Sequence, residues 1–175
     1  MDRAVRRSLS VLVDNEAGVL SQVSRLFSRK GYNIESLAVG TTDDPAVSRI
    51  TIEVLADDKQ INLLSNQLRK LLHPENAIRR ELILIKVSVP TSEIGNRVIQ
   101  IANIFRASII DVSATTLTLA MIGEESKASA IENLVKEFGI LELVRTGMIA
   151  LERGSDTIYE DTKEKGEFNY GKNVL

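Results

Sequence analysis

The polar turn DNEAG at residues 14–18 holds the residue types best suited to binding chemistry in this sequence. Asn15 carries a side-chain amide, which both donates and accepts hydrogen bonds. Gly18 has no Cβ, so a ligand can approach its backbone closely. The turn contains no histidine, lysine, cysteine or serine. These residue types indicate that the turn binds a small molecule without reacting with it.

A helix that begins near Gly18 leaves its first backbone N–H groups without partners inside the helix. Their positive pole suits a carboxylate and contributes about 0.3–1 kcal/mol beside the hydrogen bonds. The amide oxygen of Asn15 can accept a hydrogen bond from an ammonium group. The turn therefore suits a free α-amino acid, which carries both groups. The same residues fit equally well a helix cap at Asn15 and a turn glycine at Gly18, with no ligand.

Hydrophobic patterns around this turn predict the order βαββα in the first half of the chain. The first strand lies at residues 8–13, and the helix after it ends near Gly31. Two further strands, separated by the turn TTDDP, precede a second helix that begins at Asp57 and Asp58. The residues that define this pattern are Leu9, Val11 and Val13, then Val19, Val23, Leu26 and Phe27, then 33–39, Ile50, Ile52 and Val54, and finally Ile61, Leu64, Leu68 and Leu71.

The second half repeats the order and adds a final strand. A strand at residues 81–89 precedes a helix that Ser92 is expected to cap. Two short strands flank the turn SAT, another helix follows, and residues 141–151 are predicted to form one closing strand. The further residues of this pattern are Ile94, Val98, Ile101 and Phe105, then 108–112 and 116–122, then Glu124, Glu125, Ile131, Leu134, Val135, Phe138 and Gly139.

Together the two halves predict an α+β fold with two ferredoxin-like split βαβ domains. The expected domains are residues 1–73 and 81–153, with a linker at 74–80 and a polar mobile tail at 154–175. Helices cover only one face of such a sheet, so each domain is expected to associate with another surface. A lone monomer is therefore not expected.

The first domain lacks sequence for the fourth strand of this fold. Residues 73–80 read HPENAIRR, and only Ala77 and Ile78 among them are apolar. Eight residues are too few to supply both a sheet strand and an interdomain linker. Either the first sheet lacks an edge strand, or the sequence omits a segment at this point.

Composition argues against several classes of function. The 175 residues carry a formal net charge of −2, which gives no broad field for nucleic acid or an anionic membrane. The sequence has no cysteine, which excludes disulfides and thiolate metal sites, and no apolar run of the roughly 20 residues that cross a membrane. Motifs for dinucleotides, nucleotide phosphates and catalytic zinc are missing, and the single histidine, His73, is expected to be a solvated linker residue. The sequence thus predicts a cytoplasmic protein with no catalytic residues and no metal.

Five long segments of the sequence carry a family resemblance: LSVLVDNEAGVLSQVSRLFSRKGYNIESLAVG, DDPAVSRITI and RRELILIKV, then NIFRASIIDVSATTLTLAMIG and LVRTGMIAL. They resemble the small regulatory subunit of acetohydroxyacid synthase, also called acetolactate synthase, and the first domain resembles an ACT domain. It spans about residues 6–153. The sequence departs from the family at the missing strand after Leu72 and in the polar tail.

The resemblance implies a regulatory protein that performs no chemistry itself. Its partner would be the catalytic large subunit, which carries thiamine diphosphate, Mg²⁺ and FAD, whereas this chain would carry no cofactor. It would activate that partner and confer feedback inhibition by a branched-chain amino acid. The resemblance favours valine as the effector. Because one methylene group changes binding in an apolar pocket by only about 1–3 kcal/mol, leucine and isoleucine also remain candidates.

The resemblance also implies a homodimer through the ACT domains, with the effector bound between the two chains. The residues matching the turn that meets the effector are Asn15, Ala17, Gly18, Val19 and Leu20. Asn33 and Ile34 match the facing segment, which the neighbouring chain would supply.

A stand-alone amino-acid-sensing regulator of the ACT type is the alternative function. A version that binds DNA would need a basic reading helix, and none of the four predicted helices is strongly basic. The surface for the catalytic subunit stays open: Arg106, Asp111 and Arg145 either contact it or are solvated rim residues. In the tail, the apolar residues Ile158, Phe168 and Tyr170 are candidates for docking on a partner.

Overall fold

The structure, a computed structural model, describes residues 4–68, 77–155 and 157–158, without the side chains of residues 58 and 65–68. The chain divides into two compact units. The first unit comprises Met1–Ile78 and Met148–Leu175, and the second comprises Arg79–Gly147. His73, Phe168, Tyr170 and the position after Leu72 where a fourth strand would begin lie outside the described residues.

The first unit contains the predicted βαββα order. Its elements are β1 (Val5–Asp14), α1 (Val19–Lys30), β2 (Ile34–Thr41), β3 (Val47–Ala56) and α2 (Asp58–Leu68). The three strands form an antiparallel sheet in the order β1–β3–β2. Among the described residues this sheet has three strands, which agrees with either of the two alternatives that the sequence left open.

The core of the first unit lies between this sheet and the two helices. The antiparallel register aligns Leu9 of β1 with Ile52 of β3, and both side chains are fully buried. Phe27, on the apolar stripe of α1, is also fully buried in the same cluster. The alternation that predicted the strands thus places one apolar face against the helices.

The start and end of α1 and the start of α2 lie where the sequence predicts them, whereas Leu71, predicted in α2, lies outside the described residues. Gly31 ends α1 in the left-handed conformation with φ 72°, and its N–H points to the carbonyl oxygens of Phe27 and Ser28. Asp57 and Gln60 cap α2 reciprocally: each backbone N–H donates to the other's side chain, at 2.9 and 2.8 Å.

The second part of the chain repeats the pattern with a longer sheet. Its elements are β4 (Ala77–Ser88), α3 (Ser92–Phe105), β5 (Ser108–Val112), β6 (Thr116–Gly123), α4 (Glu125–Val135), a 3₁₀ turn (Lys136–Phe138), β7 (Ile140–Arg145) and β8 (Ile149–Glu152). The strand order is β5–β6–β4–β7, and β8 pairs with β4. A second aliphatic cluster fills the space between this sheet and α3 and α4; its fully buried members include Ile83, Val98 and Ile131.

Three predictions about element boundaries are corrected by the structure. Residues 77–80, expected in a linker, form the beginning of β4. The cap of α3 is Thr91, whose side chain accepts a hydrogen bond from the Ile94 N–H, and Ser92 is already helical. The prediction of one strand over residues 141–151 is wrong. The strand is interrupted at Gly147, which has φ 79°, so that β7 and β8 are separate strands.

The placement of β8 also differs from the expected domain division. Residues 148–153, expected in the second domain, belong to the first compact unit. Ile158, expected in a polar tail, is only 5% exposed and lies in the same unit. The longest described helix, α3, has 14 residues, and no described helix combines the length and apolar character needed to span a membrane.

Candidate functional site

The turn between β1 and α1 has the helix start that the sequence predicts. Gly18 adopts the left-handed conformation with φ 92° and stands immediately before α1. Its carbonyl oxygen accepts the first helical hydrogen bond, from the Gln22 N–H at 3.1 Å. A residue with a Cβ rarely adopts this backbone conformation, so the turn requires glycine.

The tip of α1 is open in the described structure. Gly18 supplies no side-chain hydrogen bond to the helix, and no acidic residue stands in the first turn of α1 as described. A Cβ built on Gly18 would meet no described atom within 4 Å. The positive end of the helix is therefore not neutralised by an acidic side chain of its own first turn, which suits an incoming carboxylate.

The apolar residues beside this tip differ in exposure. Val19 is buried in the first core, whereas Leu20 is 42% exposed. Ala17, in the turn itself, is exposed. An aliphatic side chain that enters the tip can therefore contact Leu20 without displacing the core.

Asn15 connects the turn to the β2–β3 loop. Its side-chain N–H₂ donates to the Pro45 carbonyl oxygen at 2.9 Å, and its backbone N–H donates to the Ala46 carbonyl oxygen at 2.7 Å. Its Oδ1 accepts from the Ser48 hydroxyl at 3.0 Å. The interpretation of Asn15 as the helix cap is therefore wrong, because Gly18 occupies the cap position.

The amide of Asn15 retains capacity for a ligand. A primary amide has two N–H donors and two lone pairs on its oxygen. One donor goes to Pro45 and one lone pair to Ser48. The side chain is exposed, so the second lone pair can accept from an ammonium group. Ser48 was not identified as a site residue from the sequence. It lies on the same face of β3 as Ile50 and Ile52, so the available signal was a polar residue at a position where the strand alternation places apolar ones.

The loop that anchors Asn15 is itself ordered by local hydrogen bonds. The Thr42 N–H donates to the Val47 carbonyl oxygen at 2.9 Å, which closes the β2–β3 hairpin. The carboxylate of Asp44 accepts from the Ala46 N–H at 2.9 Å. The turn residues of TTDDP thus serve a structural role, as their composition predicts.

Asn33 and Ile34 lie at the other end of α1. The 12-residue helix separates them from the turn at Gly18, a length of about 18 Å. Asn33 donates to the Glu35 carboxylate at 2.7 Å, and Ile34 packs against the first core cluster. Within one chain, the two groups of predicted site residues are therefore at opposite ends of one helix.

Strand β2, which follows Asn33, forms an edge of the first sheet in the described structure. The register aligns Leu37 with Ile52 and Val39 with Ile50. Ile52 and Ile50, on the central strand β3, are at most 1% exposed, whereas Leu37 and Val39 on β2 are 36% and 48% exposed. The edge strand β2 therefore presents partly exposed apolar side chains, and its backbone N–H and C=O groups can pair with a further strand.

The three charged residues considered as contacts for a catalytic subunit have different environments. Arg145 is bonded inside the second unit, to the Glu81 carboxylate at 3.3 Å and to the Glu132 carboxylate at 2.6 Å. Glu81 is only 4% exposed, so Arg145 supplies a positive partner for a buried carboxylate. Arg106, with φ 54°, ends α3, and Asp111 lies on the edge strand β5; both are exposed.

Carboxylates and other metal-binding side chains are not clustered in the part of the chain that the structure describes. No group of three or more histidine, cysteine, aspartate or glutamate residues there could hold a metal ion. The described arrangement at the turn thus offers hydrogen bonds, a helix end and aliphatic contact, which are the means of binding a small zwitterion.

Two family models match the chain, one described as the AHAS small subunit-like ACT domain at residues 9–73 and one described as the small subunit of acetolactate synthase at residues 80–154. The chain is 42% identical over 158 residues to a probable acetolactate synthase small subunit of Archaeoglobus fulgidus, covering 86% of this chain and 99% of that protein. It is 43% identical over 155 residues to the acetolactate synthase small subunit of Mycobacterium bovis, covering 84% and 92%. The crystal structure of the acetolactate synthase small subunit from Thermotoga maritima has 35% identity and a TM-score of 0.76, covering 87% and 99%.

Proposed function

Because the chain belongs to the family of acetolactate synthase small subunits, we propose that it regulates a catalytic large subunit in response to a branched-chain amino acid. It activates that subunit and confers feedback inhibition when the effector binds between the ACT domains of two copies. Thiamine diphosphate, Mg²⁺ and FAD belong to the catalytic subunit, and this chain holds none of them. Valine is the first candidate for the effector, with leucine and isoleucine as alternatives.

The open tip of α1 at Gly18 carries this proposal. The left-handed Gly18 is exposed and stands directly before α1, whose first backbone N–H groups have no partners inside the helix. An amino-acid carboxylate accepts hydrogen bonds from these groups. The ammonium group donates to the side-chain amide oxygen Oδ1 of Asn15, which keeps one lone pair after accepting from Ser48.

A second copy of the chain completes the pocket. Asn33 and Ile34 lie about 18 Å from the turn within one chain, too far for one small amino acid to contact both. The exposed edge strand β2 offers a way to join two copies, because two β2 strands related by a two-fold axis can pair antiparallel.

Antiparallel pairing of two β2 strands supports the proposed composition of the pocket. The beginning of β2, at Ile34, then faces the end of β2 in the other copy, at Thr41. That end continues into the loop that Asn15 holds through Pro45. Ile34 of one copy and the turn of the other are therefore brought to the same side of the paired sheet.

The branched side chain of the effector enters an aliphatic recess near Val19, Leu20 and Ile34. Leu20 is exposed in the single chain, so burial of its side chain against the ligand adds apolar contact. One methylene group changes such an apolar interaction by about 1–3 kcal/mol. Valine, leucine and isoleucine are therefore distinguished by the depth of this recess.

Inhibition follows from a coupling between effector binding and the catalytic subunit. Because two copies supply the walls, the bound effector favours one relative placement of the two chains. A coupling free energy of about 1–3 kcal/mol is enough to change the activity of the partner appreciably. The effector needs no contact with the catalytic centre.

Reconstitution of the two subunits tests the proposal. Purified catalytic subunit is assayed for condensation of pyruvate alone, with this chain, and with this chain and valine, leucine or isoleucine. The expected result is activation by the chain, followed by a loss of activity at increasing concentration of one of the three amino acids. Activity of this chain without a partner, or no effect on the catalytic subunit, would contradict the proposal.

A further inference from the structure

The beginning of β8 is hydrogen-bonded to β2 within the first unit. The Met148 N–H donates to the Ser36 hydroxyl oxygen at 3.0 Å. Ser36 lies two residues after Ile34, and the register of β2 against β3 is irregular between these two residues. Met148 is thus attached to the bulge that carries one wall of the proposed effector pocket.

Ser36 belongs to a polar row on the sheet face opposite the aliphatic core. The register aligns Ser36 with Glu53 of β3, and Glu53 with Ser8 of β1. The Ser8 hydroxyl donates to the Glu53 carboxylate at 3.0 Å, and these two residues are only 6% and 2% exposed. Polar side chains on a sheet face are buried only when something covers them.

The segment that begins at Met148 is itself buried in the first unit. Met148 is 3% exposed and Ala150 is 5% exposed, although the alternate residues Ile149 and Leu151 are more than half exposed. This alternation is typical of a strand with one face packed on protein. Met148 is therefore held by both a hydrogen bond and side-chain burial.

The chain just before Met148 is held within the second unit. The Thr146 N–H donates to the Leu82 carbonyl oxygen at 3.1 Å, and the Thr146 hydroxyl oxygen accepts from the Leu82 N–H at 3.1 Å. Gly147, with φ 79°, is the one residue between this anchor and Met148. A displacement of Met148 is therefore passed along the backbone to Thr146 across a single residue.

We propose that Ser36 is a positioning residue for inhibition, and that Met148, docked on it, passes the effector-bound arrangement of β2 to the second unit. This inference rests on the proposed function, because it assigns a route to the feedback signal. An effector that contacts Ile34 favours one geometry of the bulge, and Ser36 moves with that bulge.

Separate measurements of binding and inhibition test this route. Ser36→Ala removes the acceptor for the Met148 N–H, and Met148→Pro removes the donor. Ser36→Thr retains a hydroxyl and serves as the rescue variant. Ser28→Ala is the matched control, because the Ser28 hydroxyl donates at 3.1 Å to the Ser24 carbonyl oxygen inside α1.

For each variant, effector affinity is measured by calorimetry on the full chain, and maximal inhibition is measured on the reconstituted holoenzyme. In Ser36→Ala and Met148→Pro we expect the dissociation constant to stay within about threefold of the original, while maximal inhibition falls by about half or more. Amide hydrogen exchange is expected to accelerate at Met148–Ala150 in Ser36→Ala. Ser36→Thr and Ser28→Ala are expected to keep full inhibition.

Two results would overturn the inference. Full inhibition in both Ser36→Ala and Met148→Pro shows that the signal does not use this contact. Loss of binding and inhibition together, in both variants, shows that the contact only supports the pocket. Failure of the proposed function is distinguishable, because the unmodified chain would then neither bind a branched-chain amino acid nor confer inhibition by one.

Discussion

Ser48 and Asn15, 33 positions apart in the sequence, are joined by a hydrogen bond of 3.0 Å from the Ser48 hydroxyl to Oδ1 of Asn15. The Asn15 amide also donates to the Pro45 carbonyl oxygen. One side chain thus fixes the turn before α1 to the end of the β2–β3 loop and to the beginning of β3. In a dimer paired through β2, this bond would set the distance between the turn and the partner's Ile34.

Replacing Asn15 with alanine is predicted to weaken effector binding more than it weakens the fold. The substitution removes two hydrogen bonds that position the turn and the oxygen proposed to accept from the ammonium group. We expect a stability loss of about 1–2 kcal/mol and an affinity loss of about tenfold or more. Denaturant unfolding and calorimetry measure the two effects. Asn96→Ala, at an exposed position of α3, is the control and should change neither.

Replacing Gly18 with aspartate is predicted to give a holoenzyme that is activated but insensitive to the effector. The new carboxylate occupies the place of the effector's carboxylate, and any L side chain at φ 92° is strained. Inhibition curves of the reconstituted enzyme measure the effect. Gly18→Ala supplies the strain without the charge, so it should retain more of the inhibition than Gly18→Asp. Normal inhibition in Gly18→Asp would count against the site.

Replacing Val39 with lysine is predicted to dissociate the proposed dimer. Val39 is 48% exposed at the edge of the first sheet, and a lysine there opposes edge-to-edge pairing. Analytical ultracentrifugation should show a shift toward monomer, and calorimetry should show loss of effector binding, because each pocket needs both copies. Val112→Lys, on the edge strand β5 of the other sheet, is the matched control. If Val112→Lys dissociates the dimer and Val39→Lys does not, the edge that pairs the two copies is on the second sheet.

Replacing Arg145 with methionine is predicted to destabilise the second unit without a direct effect on effector binding. The change removes the guanidinium that contacts Glu81 and Glu132. Loss of one member of a mostly buried ion pair costs about 3 kcal/mol. Thermal unfolding of Arg145→Met should therefore begin at a lower temperature. The exposed Arg106→Met should stay within about 0.5 kcal/mol of the original, and equal stability of the two variants would contradict the structural role of Arg145.

The regular elements could be predicted from the sequence because their patterns are local. Leu9, Val11 and Val13 alternate at the strand period, and α1 is bounded by two glycines with positive φ, Gly18 and Gly31. These features depend on residues close together in the chain. The predicted α+β fold is accordingly confirmed, with two antiparallel sheets and four α-helices in the described residues.

The features that the sequence did not reveal depend on contacts between distant residues. The interruption at Gly147 lies within LVRTGMIAL, where the apolar residues on both sides of RTG favoured one continuous strand. The role of Asn15 depends on Pro45 and Ser48, which are 30 and 33 positions away. The attachment of Met148 to Ser36 spans 112 positions and leaves no local pattern.

The effector site is tested most directly by calorimetric titration of this chain with valine, leucine and isoleucine at millimolar concentrations, beside the Gly18→Asp variant. The account predicts saturable heat for at least one of the three amino acids, with one effector bound per chain at its turn before α1. It predicts no such heat for the variant. No heat with any of the three amino acids, or equal heat from the original chain and Gly18→Asp, would contradict the claim that the tip of α1 binds the effector.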